Sequence, residues 1–199
     1  MPWPDFLALL AFLTATAFTP GPNTTLSTAL AANRGLRGAL HFVCAVPVGW
    51  ALLFAVCLAG VGTLMTTVPP LRWTIKAVGV AYLLWLAVKL ARTTQLAEAD
   101  ASQLDVTFWQ GVALQFVNIK AWMAALTVTA GWVTSAANPT QRALIVLPVL
   151  VAYAFFSNLT YAMIGSSLRG WLAVGPRLAW FNRAMAAVLV ATAWWMAAV

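Results

Sequence analysis

The sequence predicts an all-α integral membrane protein of six transmembrane helices, arranged as two inverted three-helix repeats, with the first helix broken at Pro20-Gly21-Pro22. Three observations predict it. Hydrophobic residues make up 63% of the chain and charged residues 8%, against roughly 45 to 50% and about 25% in soluble domains. Six apolar runs are each long enough to cross a bilayer, three on either side of a polar seam. An odd number of crossings per half sets homologous halves in opposite orientations.

The first run reaches from Phe6 to Leu30, and Thr19-Pro20-Gly21-Pro22-Asn23 falls near its middle. Each proline removes a backbone donor and crowds the preceding turn, so the helix should break there. In lipid the freed backbone groups must meet protein, water or a ligand, which marks a cavity rather than a simple kink. The downstream half-helix is expected to start at Asn23-Thr24-Thr25, good N-cap types whose free N–H groups favour an anion. Asn33 to Gly38 reads as a short basic loop. The second run, Leu40 to Met65, contains Pro47, and Thr66 to Leu71 with Pro69-Pro70 reads as a tight turn. The third run goes from Trp73 to Leu90, closing a first repeat over 1–91. A polar central loop, 92–107, carries Glu98, Asp100 and Asp105. The second repeat, 108–199, holds runs Phe108 to Val133, Ala143 to Ile164 and Leu178 to Val199.

Internal echoes support the repeat. Trp73-Thr74-Ile75-Lys76-Ala77 is matched by Trp180-Phe181-Asn182-Arg183-Ala184, Pro47 by Pro148, and the break in run one by the polar Asn118 to Lys120 in run four. Alternating loops collect Arg34, Arg37, Lys89, Arg92, Arg169, Arg177 and Arg183 on one side and Arg72, Lys76 and Arg142 on the other, which favours both termini outside. The N-terminus lacks the basic region of a cleavable signal.

The net charge of +7 comes from 11 scattered Lys and Arg residues without a basic stripe, so no nucleic-acid partner is expected. Cys44 and Cys57 lie about 20 Å apart along one helix, too far for a disulfide or a redox pair. An intramembrane hydrolase would need a base beside a nucleophile, yet His41 sits near an interface and no acid lies inside a run. A metal transporter would need clustered carboxylates, thiols or imidazoles. No enzyme activity, metal or cofactor is therefore expected.

The first-run motif Thr19-Pro20-Gly21-Pro22-Asn23 resembles the signature of the LysE/RhtB family of amino-acid exporters. Gly79-Val80-Ala81-Tyr82-Leu83 is similar to its Gly-x-x-Tyr-Leu, and Asn118-Ile119-Lys120-Ala121 to its Asn-Pro-Lys-Ala. The family's proline is Ile119 here, so the motif leaves open whether run four is interrupted. The resemblance spans essentially the whole chain. It implies gradient-driven export of amino acids or related metabolites across the bacterial inner membrane; a non-transporting scaffold or assembly subunit is the alternative.

Lys120 lies about twelve residues into its run, where a charge costs roughly 2.5 to 3.5 kcal/mol, too deep to snorkel easily. It is the expected partner of a substrate carboxylate. With it, Thr19, Pro20, Gly21, Pro22, Asn23, Thr24, Gln115, Asn118 and Asn158 are the candidate substrate-binding residues, although Gln115, Asn118 and Asn158 equally suit interhelical hydrogen bonding. Trp50 and Trp122 lie deep enough to line a pocket, with packing the plainer role; the other tryptophans largely mark span ends. Since no Asp or Glu lies in a run, neutral amino acids are expected over basic ones. Expected partners are a small amino acid and the lipid bilayer, and the Gly and Ala faces are compatible with a homo-oligomer.

Overall fold

The computed structural model describes residues 1–94, 96 and 105–198, and all regular structure among them is helical. In order these are α1 (Trp3–Phe18), α2 (Pro22–Leu58), α3 (Val61–Thr67), α4 (Pro69–Arg92), α5 (Phe108–Val117), α6 (Ile119–Val128) with a π-helical turn at Thr129–Thr134, α7 (Pro139–Leu172) and α8 (Arg177–Ala198). Glu98 and Asp100 of the central loop lie outside the described residues. Among the described residues α2, α4 and α7 are long and apolar enough to cross a membrane, and α5 with the helix from Ile119 to Thr134 passes as one span bent by 71°. The chain is a multi-pass membrane protein with three to four such candidates.

That number differs from the six apolar runs for a structural reason. The end of the first run and most of the second, Leu40 to Leu58, are merged in α2, whose 37 residues would extend about 55 Å if straight, well beyond one crossing; the second run's last residues lie in α3. The expected basic loop at 33–38 is reduced to one residue, Gly35, with φ 76 and ψ 169. A left-handed φ suits glycine, and a single such residue turns the chain between two helical segments. The Pro69-Pro70 turn is also corrected: Val68 is the extended N-cap and the prolines open α4, where their missing donors are no loss.

The breaks have different local causes. Helix α1 stops before Pro20, and α2 begins at Pro22 with Gly21, not Asn23, as N-cap. Thr24 Oγ1 accepts from Gly21 N at 3.0 Å and donates to Gly21 O at 3.1 Å. Between α5 and α6 the chain turns at Asn118, φ −94 and ψ 102, without any proline. There the Asn118 side chain accepts the Lys120 N–H at 3.1 Å and caps α6.

Helix α2 packs along α7, and α4 along α8. Glycines face backbone where α7 meets α2 and where α4 meets α5. A Cβ on Gly165 of α7 would lie 2.1 Å from Thr28 O, and one on Gly79 of α4 would lie 2.0 Å from Val117 O at the end of α5. The Gly-x-x-Tyr-Leu motif thus seats α4 directly against the break in the fourth run. A core of Leu30, Phe42, Leu53, Leu86, Leu114 and Leu189 joins these helices.

Candidate functional site

The two breaks face each other across a cavity of about 560 Å³, counting the space at its mouth. Thr19, Gly21, Pro22, Asn23 and Thr24 line it from the first break, Asn118 and Lys120 from the second, and Asn158 from α7. Pro20 and Gln115 are absent from the lining. Pro20 is exposed beside it. Gln115 is fully buried behind it, its amide paired reciprocally with Asn23 at 2.8 and 3.0 Å and its Nε2 also donating to Gly111 O at 3.1 Å. That residue ties the two broken helices together.

Backbone carbonyls freed at the breaks find side-chain donors. Tyr161 Oη donates to Phe18 O at 2.8 Å, and Lys120 Nζ to Thr19 O at 3.0 Å. On the other break Trp122 Nε1 donates to Phe116 O at 2.8 Å. Trp122 is therefore a packed residue with a polar task, whereas Trp50 lines the cavity. Gly21 has an extended backbone, φ −175 and ψ −174, that any residue adopts. A Cβ there would meet Lys120 Nζ at 3.4 Å and Cδ at 3.6 Å, ordinary contact distances that place Gly21 directly against the lysine side chain.

Asn158 is 3% exposed and accepts from Ser27 Oγ at 2.9 Å while its Nδ2 donates to Ala154 O at 2.8 Å. The rest of the wall is apolar or hydroxylic: Leu13, Thr16 and Ala17 from α1, Ala121 and Ala124 from α6, Leu150, Tyr153, Ala154 and Ser157 from α7. Sequence reasoning missed these. A signal was present in α7, because Leu150, Ala154 and Ser157 recur at helical spacing on the face that Asn158 marks.

Among the described residues the cavity wall holds one full charge, the ammonium of Lys120, and no carboxylate. Asp5 forms a 3.6 Å ion pair with Arg142, and its backbone carbonyl accepts from Trp132 Nε1 at 2.8 Å. At the opposite, basic end Asp105 pairs with Arg34, and its backbone carbonyl accepts from Lys89 at 3.3 Å. His41 Nε2 lies 2.7 Å from Val106 O and 3.7 Å from Asp105 Oδ1, a structural role at that end. The arrangement can hold an anionic group against a half-buried cation, with neutral walls around the remainder of a small molecule.

Over residues 14–198 the chain matches the family described as LysE type translocator. The chain belongs to that family. A cysteine/O-acetylserine efflux protein of Klebsiella pneumoniae subsp. pneumoniae is 30% identical over 184 residues, covering 92% of both chains. Proteins of the same name from Salmonella typhimurium and Escherichia coli O1:K1 / APEC are 30% and 28% identical, each covering 79% of this chain and 80% of theirs. No solved structure matches. For a LysE type translocator, a cavity between two helix breaks with a single charged residue in its wall is the natural candidate site.

Proposed function

We propose that this LysE type translocator, an exporter of amino acids, carries small neutral amino acids across the bacterial inner membrane, and that the cavity between the two breaks is its substrate site near the membrane midplane. The observation that carries the reading is Lys120, whose Nζ lies in a wall with no carboxylate beside it. A charge in that setting is costly unless it is used. The α-carboxylate of an amino acid leaves water on entering the cavity, and the lysine offers it a charge-assisted partner. The absence of a wall carboxylate disfavours cationic side chains. The relatives named for cysteine and O-acetylserine efflux point the same way, towards small uncharged side chains.

The wider architecture in this reading is six spans in two inverted repeats over 1–91 and 108–199, joined by the polar segment 92–107. Span one is α1 with α2 up to Gly35, span two the rest of α2, and span three α4; spans four to six are α5 with α6, α7, and α8. Support comes from the turn at Gly35, from the bend at Asn118, and from carbonyls at both breaks that are covered by aromatic donors.

The experiment is efflux from cells loaded with dipeptides, normalised to folded protein in the membrane. Lys120→Met keeps length and apolar volume and should lose most export. Efflux by Lys120→Met at the wild-type rate would remove the lysine from the mechanism. A protein that moves no amino acid in this assay or in proteoliposomes would instead be a scaffold.

A further inference from the structure

An amino acid carries two charges, and the wall offers a partner of each kind. We propose that the Thr19 carbonyl is the subsite for the substrate's α-ammonium, forming with Lys120 a two-point clamp that selects zwitterions; this rests on the carboxylate-pairing reading of Lys120. Helix α1 ends at Phe18 and α2 begins at Pro22, so the Thr19 carbonyl belongs to neither helix. Pro22 has no N–H to give it. Among the described residues the one donor it meets is Lys120 Nζ, at 3.0 Å. A carbonyl oxygen has two lone pairs, which leaves one for a second donor. Phe18 O, Asn158 Oδ1 and Tyr153 Oη also have one donor each, from Tyr161, Ser27 and Thr14; what singles out the Thr19 oxygen is that it lies directly beside the Lys120 ammonium.

The spacing fits the ligand. In an α-amino acid the nitrogen and the nearer carboxylate oxygen are three bonds apart, through Cα and the carboxyl carbon, at roughly 2.7 to 3 Å. The lysine nitrogen and Thr19 oxygen are 3.0 Å apart. Four atoms then close a ring in which donors and acceptors alternate: Thr19 oxygen, substrate ammonium, substrate carboxylate, lysine ammonium. Each side of that ring is a hydrogen bond or the substrate itself, so the Lys120–Thr19 contact need not open. Gly21 lies against the same lysine side chain, on the wall that the two groups share. A ligand with only one of the two charges leaves either the lysine or the carbonyl without its charge-assisted partner.

Three probes sharing one side chain test this on purified protein in lipid nanodiscs, by ligand-induced thermal stabilisation: L-cysteine, 3-mercaptolactate, in which hydroxyl replaces the ammonium, and cysteamine, which lacks the carboxylate. The wild-type protein should bind cysteine at least about tenfold more tightly than either analogue. Lys120→Met removes the repelling cation and frees the carbonyl, so it should bind cysteamine at least as well as cysteine; Lys120→Arg should still exclude cysteamine. If 3-mercaptolactate binds wild type as well as cysteine and Lys120→Met loses both, the ammonium subsite is wrong while the carboxylate reading stands. If Lys120→Met binds cysteine at wild-type affinity, or wild type binds none of the three, the carboxylate reading falls and the clamp falls with it.

Discussion

Lys120 brings a charge to the wall of the candidate cavity, and its chemistry sets the sharpest expectation of the proposed function. Lys120→Arg keeps the charge but replaces a compact ammonium by a planar fork, so efflux should be partial, between wild type and the near-complete loss expected of Lys120→Met. Gln115 makes a different prediction. It touches Asn23 and Gly111 with both ends of its amide and has no exposure to the cavity. Gln115→Leu strips Asn23 of that partner and should destabilise the protein by about 1 to 3 kcal/mol, read as a lower unfolding midpoint. The double variant with Asn23→Leu should lose less than the two single losses combined, because the pair acts as one unit. Of the candidate residues, those with charge or backbone peculiarity were legible from sequence: Lys120 by its depth, Thr19 to Thr24 by the prolines. Gln115 was not, since a buried amide reads the same whether it faces a ligand or another amide.

At the scale of elements, the two breaks differ in how they are encoded. The first is covalent, since proline can neither donate nor fit a continuing turn. The second is made at Asn118 with Ile119 next to it, by a cap on Lys120 N and by Trp122 covering Phe116 O. The sequence left it open, since the polar Asn118 to Lys120 echoes the first break but Ile119 stands where the family has proline. Packing of α2 on α7 depends on Gly165 lying on Thr28 O. Gly165→Ala should therefore force the pair apart and cost about 1 to 3 kcal/mol. Gly170→Ala on the same helix is the control, because a Cβ there meets nothing within 4 Å. Equal midpoints for the two variants in a thermal unfolding assay would show that the close approach does not limit stability.

At the scale of the molecule, the cavity lies between the breaks. Its wall uses one face of α1, the start of α2, Trp50, the start of α6 and one face of α7, away from the basic end. That end is shut by buried side chains: Asn33 and Asn182 exchange amide hydrogen bonds at 2.8 and 3.0 Å, and Asn182 also donates to Thr93 O at 2.8 Å. The expected cytoplasmic placement of the basic loops predicts a cavity that faces outward. In a chain with its own cysteines replaced, Ala17→Cys should react with a membrane-impermeant thiol reagent applied outside, and Ser27→Cys, fully buried beyond the break, should not. Reaction only from the inside would reverse the orientation. Among substrates, threonine or leucine should leave faster than lysine or arginine; the opposite order would mean that the cavity tolerates a second cation.

Composition and run length determined that this is a helical membrane protein, because the bilayer demands long apolar segments with satisfied backbones whatever their order. The prolines determined where the first helix stops, and the depth of Lys120 determined that it needed a partner. Which groups meet was decided only by tertiary structure. The Thr19 carbonyl reaches Lys120, and Asn23 reaches Gln115, across about a hundred residues of chain. Such pairings depend on glycines at helix crossings and on capping bonds at Asn118, which are distances between elements and leave no period in the sequence.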